Sequence, residues 1–270
     1  MPELPEVETS RRGIEPHIVD TEITRVVIRN RSLRWPVSKS IDRNLPGQVI
    51  SSVTRRAKYL LLNTANGSAI LHLGMSGSVF VIDQGVPAGV HDHVDIDFES
   101  GKSLRFRDPR RFGSLHWSSH PLQHKLLKSL GPEPLGDEFD TEYLFTASRG
   151  RRVSVKQFIM NAQVVVGVGN IYASEALYLA GINPRRAAGR IAKQRYESLV
   201  LAIKGVLAKA IKAGGTTLRD FYGGDGEAGY FQQQLEVYGR EGEACRRCNS
   251  PITAIVQGQR STFYCKQCQT

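Results

Sequence analysis

No run of about 18 consecutive apolar residues occurs in the chain, so no segment is expected to cross a bilayer as a helix. The N-terminus lacks the basic start and apolar stretch of a secretory signal, and the expectation is a cytoplasmic protein. Cysteine is missing from residues 1–244, and there is neither an internal repeat nor a low-complexity tract. A disulfide miniprotein and a disordered tail are both excluded, because 270 residues with 40% hydrophobic and 23% charged content can bury a substantial core in one or two domains. Acidic charge is also in deficit: 36 Lys and Arg face 26 Asp and Glu, a net of +10. The excess is uneven, at +5 over residues 1–130, −4 over 131–150 and +9 over 151–270. Arginine supplies 25 of the 36 cations, which favours a planar donor suited to phosphates and base edges. Charge alone leaves a nucleic-acid partner and a merely basic surface equally open.

All four cysteines lie in the last 26 residues, as Cys245-x2-Cys248, sixteen residues, then Cys265-x2-Cys268. Each knuckle aims two thiolates at one point, and two knuckles complete a tetrahedron around a zinc ion. The alternatives are two disulfides or four free thiols, and a reducing cytoplasm disfavours the former. Four protein ligands leave no open position, so one structural zinc is expected to fold a segment too small to hold itself. Thr253, Ile255, Thr262, Phe263 and Tyr264 predict a hairpin between the knuckles, with Arg260 near its turn. Arg246, Arg247, Arg260 and Lys266 make it resemble a nucleic-acid finger.

Periodicity divides the rest. Short strand-like stretches at 49–53, 59–62, 69–73, 78–82, 94–98, 104–106 and 114–117 are separated by glycine-bearing turns and predict a β-sandwich or barrel. After the connector Gly131-Pro-Glu-Pro-Leu-Gly136 the period becomes helical. Tyr196, Leu199, Val200, Ile203, Leu207, Ala210 and Ile211 share a face that ends at Gly214-Gly215. Asn170 is expected to cap a helix bearing Tyr172, Ala176, Leu179 and Ala180, with Gly181 and Pro184 as its stop.

Gly167-Val-Gly169 begins like a dinucleotide fingerprint, but Tyr172 occupies the third glycine position and a helical context follows, so that reading fails. A glycine turn entering a helix still suits a nucleic-acid backbone phosphate, or is a plain turn. His91, His93 and Asp95 alternate onto one strand face, as a metal triad or as a polar face near an anionic ligand. Phe112 follows the cationic stretch from Arg105 to Arg111, which fits either a solvated basic edge or a DNA wedge.

Pro2-Glu-Leu-Pro-Glu-Val-Glu8, Lys58, His72-Leu-Gly-Met-Ser-Gly77, Asp108-Pro-Arg-Arg-Phe-Gly113, Gly167-Val-Gly-Asn-Ile-Tyr172 and the cysteine spacing together resemble the formamidopyrimidine-DNA glycosylase family. The resemblance runs from Pro2 to the last knuckle. The endonuclease VIII branch usually begins Pro-Glu-Gly-Pro-Glu, so Leu4 favours the oxidised-purine enzyme. The implied architecture is α+β and multidomain: a β-sandwich with an N-terminal helix over 1–130, a linker over 131–150, a helical helix-two-turns-helix domain over 151–235, and a zinc finger hairpin over 236–270.

The resemblance also implies a chemistry. Loss of Met1 exposes the secondary amine of Pro2, the nucleophile of a Schiff-base glycosylase and abasic-site lyase acting on oxidised purines in duplex DNA. Glu3 is the implied proton donor, Glu6 a supporting group, Lys58 an acid for β-elimination or a phosphate clamp, and Arg260 the group for δ-elimination. A guanidinium hardly deprotonates at neutral pH, so charge stabilisation of the departing phosphate is the physical role expected of Arg260. Met75, Arg110 and Phe112 are implied to fill the void left by an extruded nucleotide, while His72, His91, Arg151 and Asn170 hold the DNA backbone. The segment 214–229, with six glycines, is expected to close on the base. The implied partner is double-stranded DNA bearing oxidised purines or abasic sites, bound by a monomer without a membrane. Two other readings stay open: an endonuclease VIII-like enzyme for oxidised pyrimidines, and a non-catalytic zinc protein that binds nucleic acid.

Overall fold

Pro5 in the first turn, acids at the N-terminal end and apolar residues at helical spacing start helix α1, Leu4–Ile18, directly after Pro2 and Glu3. The computed structural model of the chain describes residues 2–215 and 235–270. These fall into two compact units, one of residues 2–129 with 213–215, the other of 130–212 with 235–270.

In the first unit, strands β1 (Ile23–Ile28), β5 (Ser78–Asp83), β6 (Asp92–Phe98) and β7 (Lys102–Arg107) form one antiparallel sheet in the order β1-β6-β7-β5. Strands β2 (Ser52–Arg56), β3 (Tyr59–Thr64), β4 (Gly67–His72) and β8 (Ser114–Ser118) form the second, in the order β2-β3-β4-β8. Val79, Val94, Ile96, Leu104 and Phe106 from the first sheet share one buried cluster with Val53, Leu60, Leu62, Leu71 and Leu115 from the second, and with Val7, Ile14 and Ile18 of α1. This is the expected sandwich with its helix. A four-residue helix α2, Ile41–Asn44, adds Ile41 to the same core. Strand β1 carries no clear alternation, because Thr24 and Arg25 are exposed and polar and its apolar run, Val26 to Ile28, is short and half-buried. The first expected strand starts later, at Ser52; Val49 is exposed and makes only a single bridge to Glu22.

The second unit is helical at its start. Helix α3, Thr141–Ser148, lies inside the stretch expected to be a linker; Asp140 caps it by accepting from the Tyr143 amide at 2.7 Å, and it packs on helix α6. Proline, glycine and acid content suggested a connector, but Leu144 is fully buried, and one buried leucine in eight residues is too weak a period to read. Helix α4 is Val155–Ile159, α5 is Asn170–Leu179, and α6 is Lys193–Lys212 with the expected apolar face buried except for Ile211, which is half-buried. Helix α5 ends as glycine dictates. Gly181 has φ +67°, its amide donates to the Tyr178 carbonyl, and the Ile182 amide donates to that of Leu177, a Schellman closure. The expected hairpin is β9 (Thr253–Gln257) paired with β10 (Arg260–Tyr264). Its two-residue turn has Gly258 at φ +56° and Gln259 at +61°, the pattern of a type I′ turn.

Candidate active site and zinc centre

In the first unit the N-terminal end of α1 is organised by its own carboxylates. Glu3, the N-cap, accepts from the Glu6 amide, and Glu6 Oε2 accepts from the Glu3 amide at 2.8 Å, a reciprocal capping box with acids in both places. Pro2, Glu3 and Glu6 are all buried. Gly215, at φ +82°, lies against Glu6: a Cβ there would come within 3.3 Å of its Cγ and Oε1.

Lys58 sits at the tip of the β2–β3 hairpin beside Ala57, whose φ is +55°. The tip is tied to α1 through an arginine: Arg55 Nη1 donates to the Ala57 carbonyl at 3.0 Å and its Nε to Glu8 Oε2 at 3.2 Å. Glu8 also accepts from Arg11 and Arg12. Burial opposes its ionisation, but those bonds and the Arg55 charge outweigh it and hold the carboxyl below the ordinary range. The carboxylate therefore fixes the hairpin tip to helix α1, whose N-terminal end follows Pro2.

His72 ends β4 with its ring 4.7 Å from that of Tyr59, and its Nδ1 accepts from the Gly74 amide at 3.0 Å. Burial, then the charges of Lys58 and Arg34, bring its pKa down to about 4. At neutral pH it is an uncharged N–H donor through Nε2. Met75 is exposed at the next turn, and Arg110 is exposed on the loop that joins β7 to β8. The Arg110 guanidinium lies 5.1 Å from the centre of the half-buried Phe112 ring, and Arg34 lies 5.7 Å from it.

The expected polar face of His91, His93 and Asp95 resolves differently. His91 is exposed and precedes β6, and β6 is irregular between Asp92 and Val94. His93 is buried and donates from Nε2 to the Asp108 carbonyl at 2.8 Å. Asp95 is consumed by arginines, bonding Arg105 at 2.8 and 2.9 Å and Arg29 at 2.6 Å. Neither a metal triad nor an anion-facing strip forms, because the buried polar face is neutralised from within its own sheet.

In the second unit Asn170 is not the cap of α5. Gly169 holds that position, and the Asn170 side chain accepts from Lys156 Nζ at 2.7 Å and donates to the Ser261 carbonyl at 2.9 Å. Lys156, only 2% exposed, also donates to Thr262 Oγ1 at 2.8 Å and to the Ser261 carbonyl at 3.1 Å. One buried ammonium thus joins the α5 entry to strand β10, whose first residue is the exposed Arg260. Arg151 lines an open cleft with Arg152 and Arg190. Glu175, buried on α5, accepts from the amides of Glu236, Val237 and Tyr238 at 2.8 to 3.0 Å; burial raises its pKa despite them. Lys156 gave no sequence signal, whereas Glu175 could have been noticed as the one acid in an otherwise apolar helix. Residues 216–229 of the expected closing segment lie outside the described residues.

The four thiolates converge. Their sulfurs all lie within 4.8 Å of one another, with Cys245–Cys268 at 3.9 Å and Cys248–Cys265 at 3.4 Å. A tetrahedron with 2.3 Å bonds needs sulfurs about 3.8 Å apart, whereas a disulfide needs about 2 Å. The set fits one structural zinc, and among the described residues it is the only such cluster. Tyr178 of α5 supports it with its hydroxyl 3.2 Å from Cys245 Sγ, and Arg247 lies 4.4 Å over the Tyr178 ring. With zinc bound, Cys245 is a thiolate and can only accept, so the phenol, which burial and then the neighbouring thiol keep protonated, is the donor.

Comparison with known proteins agrees along the whole chain. The formamidopyrimidine-DNA glycosylase N-terminal domain matches residues 1–115, the formamidopyrimidine-DNA glycosylase H2TH domain 130–222, and the zinc finger found in FPG and IleRS 242–270. A formamidopyrimidine-DNA glycosylase of Stutzerimonas stutzeri (strain A1501) is 59% identical over 269 residues, covering 100% of both chains. A Lactococcus lactis FPG mutant solved with a Fapy-dG containing DNA superposes with a TM-score of 0.92 at 32% identity, covering 100% of both chains. The Lactococcus lactis Fpg solved with an abasic site containing DNA gives 0.91 at 32% identity, covering 99% of each. Matched in all three of its blocks, the chain belongs to the formamidopyrimidine-DNA glycosylase family.

Proposed function

We propose that the chain is a bifunctional DNA glycosylase and abasic-site lyase. It removes oxidised purines, 8-oxoguanine and formamidopyrimidines among them, from duplex DNA and then cuts the strand, as a monomer in the bacterial cytoplasm. The observation that carries the reading is the end of α1, where Pro2 precedes a buried pair of carboxylates locked in a reciprocal cap. Two buried acids beside a terminal secondary amine form an acid–base group that a plain helix start does not need.

Freed of Met1, the Pro2 nitrogen attacks C1′ of the damaged nucleoside, and the glycosidic electron pair leaves with the base. The departing base takes up the proton the nitrogen loses, and Glu3 delivers its own proton to the ring oxygen as the C1′–O bond opens, which leaves a C1′ iminium and a Glu3 carboxylate. The iminium draws electrons and acidifies the 2′ hydrogen, so the 3′ phosphate departs, and a second elimination releases the 5′ phosphate. Glu6 holds the Glu3 backbone. Lys58, fixed through Arg55 and Glu8, supplies a proton or clamps a phosphate, and Arg260 stabilises the charge of the departing phosphate. Met75, Arg110 and Phe112 fill the void in the duplex, and the placement of Arg110 over the Phe112 ring supports a joined wedge. His91, Arg151 and Asn170 hold the DNA backbone; His72 does so as an uncharged donor. The zinc hairpin carries Arg260 and holds it by folding around the metal.

Borohydride reduction of the enzyme on damaged duplex, followed by mass spectrometry of the adduct, tests this. Attachment at Pro2 is expected. Attachment at Lys58 overturns the mechanism, and no adduct leaves a zinc-containing binding protein. Extending the chain by one uncleaved residue ahead of Pro2 should abolish nicking. Stronger cleavage of thymine glycol than of 8-oxoguanine would move the substrate to oxidised pyrimidines.

A further inference from the structure

The turn after β4 and the loop between β7 and β8 carry the three residues proposed to fill the void, and both are fastened to one carboxylate. Asp108 is fully buried. Its Oδ1 accepts from Ser76 Oγ at 2.8 Å in the first turn, and its Oδ2 accepts from the Gly113 amide at 2.7 Å at the far end of its own loop. Ser76 Oγ in turn accepts from the Arg110 amide at 3.2 Å. The Asp108 backbone is held as well, its amide donating to the His91 carbonyl at 2.9 Å and its carbonyl accepting from His93 Nε2 at 2.8 Å. Among the described residues no cationic side chain pairs with this carboxylate. Its donors are a hydroxyl and an amide, one from each turn.

The two turns also touch through their backbones. Gly74 has φ +70°, and a Cβ there would come within 2.5 Å of the Gly113 nitrogen and the Phe112 carbonyl carbon. Met75 is therefore carried on a turn that cannot shift without moving Arg110 and Phe112. A carboxylate accepts at both oxygens, so it can bind two donors at once. An amide in its place keeps the Gly113 bond with its oxygen but presents an N–H to Ser76, so the buried Ser76 hydroxyl must turn from donor to acceptor and its proton loses the carboxylate at unchanged volume.

We propose that Asp108 is the positioning residue that makes Met75, Arg110 and Phe112 one rigid wedge, and that this rigidity sets the discrimination among bases opposite the lesion. The inference rests on the glycosylase reading above. A wedge matters only where a duplex must be opened and an orphaned base faced. It has no work on an abasic site already in a single strand.

The test compares Asp108→Asn and Ser76→Ala with the parent protein on two substrates: duplexes carrying 8-oxoguanine opposite each of the four bases, and a single strand with a preformed abasic site. Asp108→Asn is expected to lose at least about tenfold in kcat/KM on the duplex lesion, and the spread among opposite bases should shrink at least about threefold. Single-strand abasic cleavage should stay within about twofold. Ser76→Ala, which retains the carboxylate and removes one bond, should move the same way by less, and it serves if Asp108→Asn folds poorly. Amide exchange at Arg110 and Gly113 should quicken in both variants. Parallel loss on both substrates, or an unchanged order and spread among opposite bases, overturns the proposal. Failure of the parent protein to nick or trap DNA would instead overturn the glycosylase reading.

Discussion

At the residue scale the protonation state of His72 is set by its surroundings. Its burial, together with Lys58 and Arg34, favours the neutral ring, with a pKa of about 4 against the ordinary 6.5. The stabilisation that accompanies the neutral form is complete above the unfolded value and is lost as the pH falls from 6.5 toward 4. In that window the unfolded chain binds more protons than the folded one. His116, also brought to about 4 by burial and then by His124 and Lys125, contributes in the same direction. Stability should therefore fall on acidification, and His72→Gln should flatten the fall between pH 6.5 and 4 by up to about 1.4 kcal/mol per pH unit, His116 retaining its share. Melting temperatures of the two proteins across that range measure this; superimposable profiles would contradict the assignment. The sequence marked His72 through its motif, but its charge depended on neighbours distant in the chain. The same holds for Asp108, which stood in a quoted motif without any role being evident from it.

At the scale of elements, the zinc hairpin and helix α5 share a bond that neither spacing nor periodicity reveals. Tyr178 lies on α5, 67 residues before Cys245 in the chain, and donates its hydroxyl to that thiolate. A hydrogen bond to a metal-bound ligand orients it and stabilises its charge, and loss of such a partner typically costs about 10- to 100-fold in metal affinity. Tyr178→Phe should release zinc about tenfold or more faster to a chromogenic chelator, with little change in the hairpin's strand content before release. An unchanged release rate would show that the contact is packing alone. The cysteine spacing, the hairpin, α6 and seven of the eight sandwich strands were legible because each has a local signature: paired knuckles, alternation, or an apolar face at helical spacing. Strand β1, helix α3 and the true cap of α5 were not. Their identities depend on what lies across from them, and Asn170 looked like a cap until Lys156 and Ser261 claimed its side chain.

For the whole molecule the governing quantity is charge. The net of +10 is concentrated in two basic blocks flanking an acidic stretch, and many of the acids are spent internally, as when Asp92, Asp95 and Asp97 neutralise Arg107, Arg105, Arg29 and Arg25. Binding to DNA should weaken steeply with salt, because each neutralised phosphate releases a counterion. Arg151, exposed on a cleft with two further arginines, is proposed as one such contact, and Arg151→Ala should then reduce the slope of log K against log salt by about 1 without changing the preference for damaged over intact duplex. Titrations at several salt concentrations decide it, and an unaltered slope would remove Arg151 from the DNA-binding surface.

The linear chain by itself determined the blocks, the zinc ligands and the capped pair of acids beside Pro2, because these depend on neighbours a few positions away or on a fixed spacing. Folding alone decided which polar groups were consumed and which were left to act. Asp95 became a counter-ion within its sheet, Lys156 a buried strut, and Asp108 a tie from its own loop to Ser76, 32 residues earlier. Such assignments follow from satisfying every buried donor and acceptor at once, a condition on the packed interior as a whole that no local stretch of sequence carries.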